Sequence, residues 1–353
     1  MKKASPTKPQ NNGMAFGPLP RCKGLFKVWQ SSPPERLKTT LCGPFKYRKE
    51  LSLISFVQRY VHVHTWLYGH YRAFSKLLCW DPSLQAPYHA SPLEIAAKLG
   101  INEKSATAFW RHLHKTTPEN MYANLVETGI QVLPLFHPLY PPLLKTIYDP
   151  PYLLYAKGNI KRLQTKKIAI CGTRTPTAYG RAALATIAKP ISEHSLTIVS
   201  GMARGIDGLA HEQAIRTGGA TIAVLGSGFD NIYPPEHSTL FHALAEHQLL
   251  LSEYPPFVKP QRWHFPVRNR IISGLSQAVI IIEAKRKSGS LITADLALEQ
   301  GRDVFAVPGP VTSAQSEGTN WLISQGAGCL YTSEALFEAM PQLLSKTGES
   351  QSF

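Results

Sequence analysis

Short apolar runs alternate with amphipathic stretches through the second half of this chain. Ile168–Cys171, Ile198-Val199, Thr221–Leu225, Leu249–Leu251, Val279–Ile282 and Val304–Val307 are too short for buried helices and are rich in β-branched residues, so they predict strands. Between them lie helix-period segments: Tyr179–Ile191, Gly208–Arg216, Pro235–Glu246, a helix beginning after Pro266 and one ending near Gln300. Such alternation predicts an α/β fold with a doubly wound, mostly parallel sheet. Upstream, between Leu51 and about Met121, the period is helical. One apolar face is formed by Leu53, Ile54, Val57, Tyr60 and Val61, another by Leu93, Ile95, Ala96 and Leu99, and Ser91-Pro-Leu-Glu94 reads as a capping box. A turn at Leu99–Ala106 then leads into a helix to His114. This is a small helical module of the SAM or helix-hairpin-helix type.

Proline punctuates the region between the two halves, at Val132-Leu-Pro134, Tyr140-Pro-Pro142 and Asp149-Pro-Pro151. The resulting expectation is a leader (1–50), a helical module (51–123), a Pro-rich connector (124–158), a Rossmann-like domain (159–345) and a tail (346–353). The formal net charge is +15. Residues 1–50 hold eleven Lys/Arg against two Glu, so +9 of it belongs to the leader, a basic arm able to touch DNA non-specifically or merely a solubilising tail. An anionic partner is expected.

The strand ends carry the candidate chemistry. Ser200-Gly-Met-Ala-Arg-Gly-Ile-Asp207 joins a strand to a helix, with glycines that allow close backbone approach and helix N–H groups suited to an anion. Cations recur over the other turns: Arg174, Arg204, Arg268, Arg270, Lys285, Arg286 and Lys287. A row of phosphates would satisfy charges from several loops at once, whereas a single nucleotide needs only two or three. Phe229, Tyr233, Trp263, His264 and Phe265 are interleaved with them and could stack on unpaired bases or simply pack in the core.

Familiar catalytic signatures are missing. The chain has no Gly-Lys dipeptide to end a P-loop, Asn231 stands where Gly226-Ser-Gly228 would need a third glycine, and no Gly-x-Ser-x-Gly elbow occurs. Asp207 with His211, and Glu283 at a strand end, could do acid–base work, but an N-cap and a structural carboxylate are the plainer readings. His62, His64 and His70 lack the spacing of helical metal ligands. The five cysteines form no C-x-x-C and read as reduced thiols. No apolar run approaches membrane-spanning length and no secretory h-region follows the basic start, so a cytoplasmic protein without cofactor or metal is expected.

From Tyr140 to Tyr331 the chain closely resembles the DNA-processing protein A family (DprA/Smf). The resemblance rests on motifs in matching order: Asp149-Pro-Pro151, Gly172-Thr-Arg174, Ser200–Asp207 with His211, Tyr233-Pro234, Ser252-Glu253, Phe265-Pro-Val-Arg-Asn-Arg-Ile-Ile272, Ser288–Thr293 and Val307-Pro-Gly309. It implies an extended Rossmann-like domain that binds single-stranded DNA without sequence preference, forms a homodimer and loads RecA recombinase during natural transformation, with no enzymatic activity. The implied DNA contacts are Gly172, Arg174, Ser200 and Gly201, then Arg204, Arg268, Arg270 and Lys285, with Phe229 against a base. The basic leader is unlike the family's usual start, and from the end of the sequence at Phe353 the winged-helix domain seen in some members is expected to be lacking. Two alternatives are a nucleotide-processing hydrolase of the lysine-decarboxylase-like type, whose Pro-Gly-Gly-x-Gly-Thr-x-x-Glu motif is absent, and an adaptor acting through the helical module. Deleting residues 51–121 is the expected way to expose the adaptor.

Overall fold

A computed structural model describes residues 44–345. Most of the basic leader and the whole of the tail 346–353 lie outside the described residues. Among the described residues five α-helices precede the sheet: α1 (Pro44–Leu67), α2 (Tyr71–Trp80), α3 (Pro92–Leu99), α4 (Glu103–Lys115) and α5 (Pro118–Glu127). Helix α1 thus begins inside the stretch assigned to the leader. Ser91 caps α3 by accepting from Glu94 N at 3.2 Å, as the capping box predicts, and Gly100 ends it in the left-handed region at φ 65°. Asn102 then caps α4.

Among the described residues nine strands form one sheet in the order β1-β2-β6-β5-β4-β3-β7-β8-β9. The parallel part contains β3 (Lys167–Cys171), β4 (Thr197–Ser200), β5 (Ala220–Leu225), β6 (Leu249–Ser252), β7 (Ala278–Ile281), β8 (Asp303–Ala306) and β9 (Gly328–Cys329). Strands β3 to β6 proceed one way and β7 to β9 the other, so the topology switches beside β3. This is the extended Rossmann-like arrangement that the alternation predicts. The structure differs from the sequence reading within 124–158: β1 (Ile130–Pro134) and β2 (Leu153–Gly158) pair antiparallel with each other, and β2 pairs antiparallel with β6, which extends the sheet into the supposed connector. Pro134 ends the outermost strand, where a missing N–H costs no ladder bond.

The helices between strands are α6 (Pro142–Lys145), α7 (Ala178–Glu193), α8 (Ile206–Arg216), α9 (Ser238–His247), α10 (His264–Leu275), α11 (Gly289–Glu299) and α12 (Glu317–Ser324), and α13 (Glu334–Ala339) follows β9. Strand alternation divides the core. Ile222, Val224, Leu249 and Leu251 face α10 and α11 with Ile271, Leu275 and Leu291. On the opposite face Ile168, Ile170 and Ile198 pack with Leu184, Ile187 and Ala210 of α7 and α8. Farther along that face Leu153, Tyr155, Ala223, Leu225 and Leu250 pack with Leu67, Phe74 and Tyr60 of the helical module. The module is therefore one of the layers covering the sheet.

His62 and His64 are buried within it and donate to, or accept from, the hydroxyls of Tyr88 and Tyr155 at 2.8 and 3.2 Å. Cysteine pairing also differs from expectation: Cys79 is disulfide-bonded, while Cys171 and Cys329 are free. Irregular spacing cannot reveal proximity in space, which decides pairing.

Candidate nucleic-acid interface

The turn after β4 is held from three sides. Asp207, in the first turn of α8, accepts from Gly201 N at 3.2 Å. Arg268 reaches over from α10 and donates Nη1 to Gly201 O at 2.6 Å and to Val224 O. His237 bonds Met202 O through Nδ1 at 3.0 Å. Met202 is left-handed at φ 53°, a costly conformation for a side-chain-bearing residue that persists where its surroundings over-determine it. Burial pushes the Asp207 carboxyl up, while the Arg268 guanidinium and the N–H bonds pull it down. Burial likewise lowers Arg268, and Asp207 opposes that shift. Each thus stabilises the other's charge.

The turn after β3 leans on the same structure. Thr173 O accepts from Ile206 N at 3.1 Å, and Gly205, at φ 75°, lies so close that a Cβ would stand 2.4 Å from Thr173 O and 2.6 Å from Arg174 C. Gly205→Ala is therefore expected to force the two turns apart, destabilising the fold by roughly 1–3 kcal/mol and displacing Arg174. Urea unfolding checks the first effect. A wild-type midpoint in the folded variant would refute the close approach.

At the switch beside β3 the protein supplies its own anion. Glu283, 1% exposed, accepts from Thr177 N at 2.9 Å and from Thr177 Oγ1 at 2.6 Å. Thr177 is the N-cap of α7, and a Cβ on Gly180 would meet Glu283 Oε2 at 2.2 Å. A carboxylate thus occupies the helix N-terminus where Rossmann-type folds place a nucleotide phosphate. The structural reading of Glu283 holds. Asp207 and His211 do not form an acid–base pair either, since His211 Nδ1 bonds Thr221 Oγ1 at 2.6 Å and burial pushes its imidazole down to about 3.

The residues singled out from sequence separate into two groups. Arg174, Arg204 and Lys285 are exposed at the strand ends, as are Arg286 and Lys287, and Gly172 is half-buried against Ile206. Arg204 is paired with Glu236. The others face inward, contrary to the expectation of phosphate or base contact. Ser200 is buried and donates Oγ to Ile170 O at 2.6 Å, and Gly201 is enclosed by Asp207 and Arg268. Arg270 is bonded to Glu253 at 2.8 Å, Asp149 at 2.9 Å and Tyr71 at 2.6 Å. Phe229 is 5% exposed and packs in the core layer beneath the helical module. Cationic and aromatic residues in a loop motif look alike whether they face a ligand or brace the loop. What the sequence reading missed is Arg181. With Arg174, Thr175, Gly205, Glu212 and His237 it lines a polar pocket of about 450 Å³ between α7 and α8. Its place in the first turn of the helix after Gly172-Thr-Arg174 was the available signal.

Together these features define a class, an extended Rossmann-like α/β protein whose nucleotide position is closed by an internal carboxylate and whose strand-end rim exposes cations. A family model described as DNA recombination-mediator protein A matches residues 131–341, and the chain belongs to that family. DNA processing protein DprA of Bacillus subtilis is 51% identical over 274 residues, 76% of this chain and 91% of that protein. Protein Smf of Escherichia coli is 39% identical over 245 residues, 69% of this chain and 65% of that protein. Among solved structures, the X-ray structure of DNA processing protein A from Streptococcus pneumoniae matches with TM-score 0.66 at 34% identity, covering 76% of this chain and 92% of that one. That of the Helicobacter pylori protein, reported for its unique single-stranded DNA binding mode, matches with TM-score 0.55 at 33% identity, covering 60% and 96%. No helix among the described residues is long and apolar enough to cross a membrane.

Proposed function

We propose that this chain binds single-stranded DNA along the carboxyl ends of its strands and acts, without enzymatic turnover, as a cytoplasmic homodimeric mediator that loads RecA recombinase in natural transformation. The observation that carries the DNA reading is the pairing of a rim of exposed cations with a closed nucleotide position. Arg174 and Arg181 border one pocket, Lys285, Arg286 and Lys287 follow β7, and Glu283 blocks the place of a mononucleotide. Charge spread over several loops suits a polyanion. The single-stranded DNA binding mode of the Helicobacter pylori relative supports the choice of ligand. RecA loading and dimerisation are carried by family membership alone. The hydrolase alternative finds no free carboxylate in Glu283 and no proton relay between Asp207 and His211.

Fluorescence anisotropy with a labelled oligothymidylate and a matched duplex, across a salt series, tests the reading. Preference for the single strand, with log affinity falling by about 0.7 per log salt for each phosphate neutralised, is expected. Arg174→Ala should weaken binding by a few-fold to about a hundredfold and flatten the slope by about one contact. Equal affinity for strand and duplex would overturn the proposal.

A further inference from the structure

Beyond the cations the same rim continues into aromatic residues. The loops after β5 and β6 are bound together by Gly228 N to Val258 O at 2.8 Å, Asp230 N to Pro256 O at 3.0 Å and Ser252 Oγ to Ser227 O at 2.8 Å. On this base Trp263 is 65% exposed, Phe257 55% and Tyr233 43%. Tyr233 and Trp263 are braced, the latter edge-on against the neighbouring His264 ring with centroids 5.6 Å apart. The Phe265 ring lies where a Cβ on Gly226 would be 2.9 Å away, and Tyr233 rests against it with centroids 5.3 Å apart. His264, next to Trp263, bonds Gly226 O at 3.0 Å and is stacked on Tyr254 at 4.0 Å. Rigid rings with open faces lose little entropy when something flat stacks on them.

The charges nearby decide what that is. Lys259 and Arg262 are exposed in the loop, and no acidic residue occurs from Tyr254 to Ile282. The neighbouring loop, however, carries exposed Asp230 and Glu236, the latter already paired with Arg204. Carboxylates alternating with open rings disfavour a continuous row of phosphates. They suit uncharged, flat groups on a strand whose phosphates are held elsewhere.

Resting on the DNA-binding reading above, we propose that Tyr233 and Trp263 form a base-stacking platform for single-stranded DNA, next to the phosphate-binding rim at Arg174 and Arg181. Backbone charge is then read over β3 and β4, and unpaired bases over β5 and β6. Stacking tolerates any base sequence and requires that the bases be unpaired, so the platform supplies preference for single strands.

The test compares wild type, Trp263→Ala and Trp263→Phe for binding of oligothymidylate and of an abasic strand of equal length. Trp263→Ala is expected to lose roughly 5- to 150-fold in affinity for oligothymidylate with an unchanged salt slope, and nothing on the abasic strand. Trp263→Phe should retain most of the affinity. Two results would overturn the platform: unchanged oligothymidylate binding in Trp263→Ala, which would return the patch to a protein partner, or an equal loss on both strands. If wild type itself fails to bind oligothymidylate, the DNA-binding reading falls and the platform with it, a result distinct from failure of the platform alone.

Discussion

Glu253→Ala should unfold at markedly lower denaturant, losing about 3–5 kcal/mol, because it takes from the buried Arg270 guanidinium its one buried carboxylate and leaves it only the part-exposed Asp149. The two side chains are 4% and 2% exposed and meet at 2.8 Å. Burial works against the Arg270 charge, but Glu253, then Tyr71 and Asp149, hold it well above the ordinary arginine range. Water cannot compensate at such a site. Replacing both partners, as in Arg270→Met with Glu253→Leu, should cost much less than the single change, since the charge then left without its partner is that of Asp149, which is 37% exposed and can be hydrated. Urea unfolding of the singles and the double measures the coupling. Additive losses would mean the pair is no more than two independent core positions.

Acidification is the second large effect expected. Burial pushes His64 down to about 3 and His211 also to about 3, while His62 is lowered to about 4 by burial and by neighbouring His112. A histidine lowered in the folded state binds its proton more readily when unfolded, near its ordinary 6.5, so stability is full above that value and is lost as pH falls toward the folded value. His64 and His211 together should cost on the order of 3 kcal/mol for each pH unit well below 6.5. Thermal unfolding between pH 7.5 and 4.5 reads this directly. A melting temperature that stays level down to pH 5 would show that these rings are hydrated or already protonated in the native protein. DNA affinity is best measured above pH 7, where folding and binding do not mix.

The parallel strands and their helices were legible because an all-buried strand such as β3 reads as an apolar run, Ile168–Cys171, that ends at a glycine turn. Strands β1 and β2 were not, because their proline-flanked sequences mimic a linker and their pairing is long-range. Ile130 meets Lys157, a distance no local pattern encodes. At the candidate site, sequence indicated which loops carry charge but not which way each side chain points. Arg268 and Arg270 show the limit. Two residues apart on one helix they cannot share a face, and both turn out to be internal, one gripping the Gly201 turn and the other Glu253. Arg181 went unread because it sits within a helix rather than in the glycine turn beside it.

The layer that α1 and α2 lay over the sheet bears on whether this protein can be cut. Tyr71 of α2 bonds Arg270 of α10, Tyr60 OH bonds Tyr152 O at 3.0 Å, and Phe74 packs with Tyr155 in one core. Removing residues 51–121 would therefore expose Leu153, Tyr155 and Leu250 to water, and the remainder would aggregate for reasons unrelated to any partner. The N-terminal helices are not a detachable cargo-binding head, and their contribution to DNA or protein recognition has to be dissected with surface substitutions on an intact molecule.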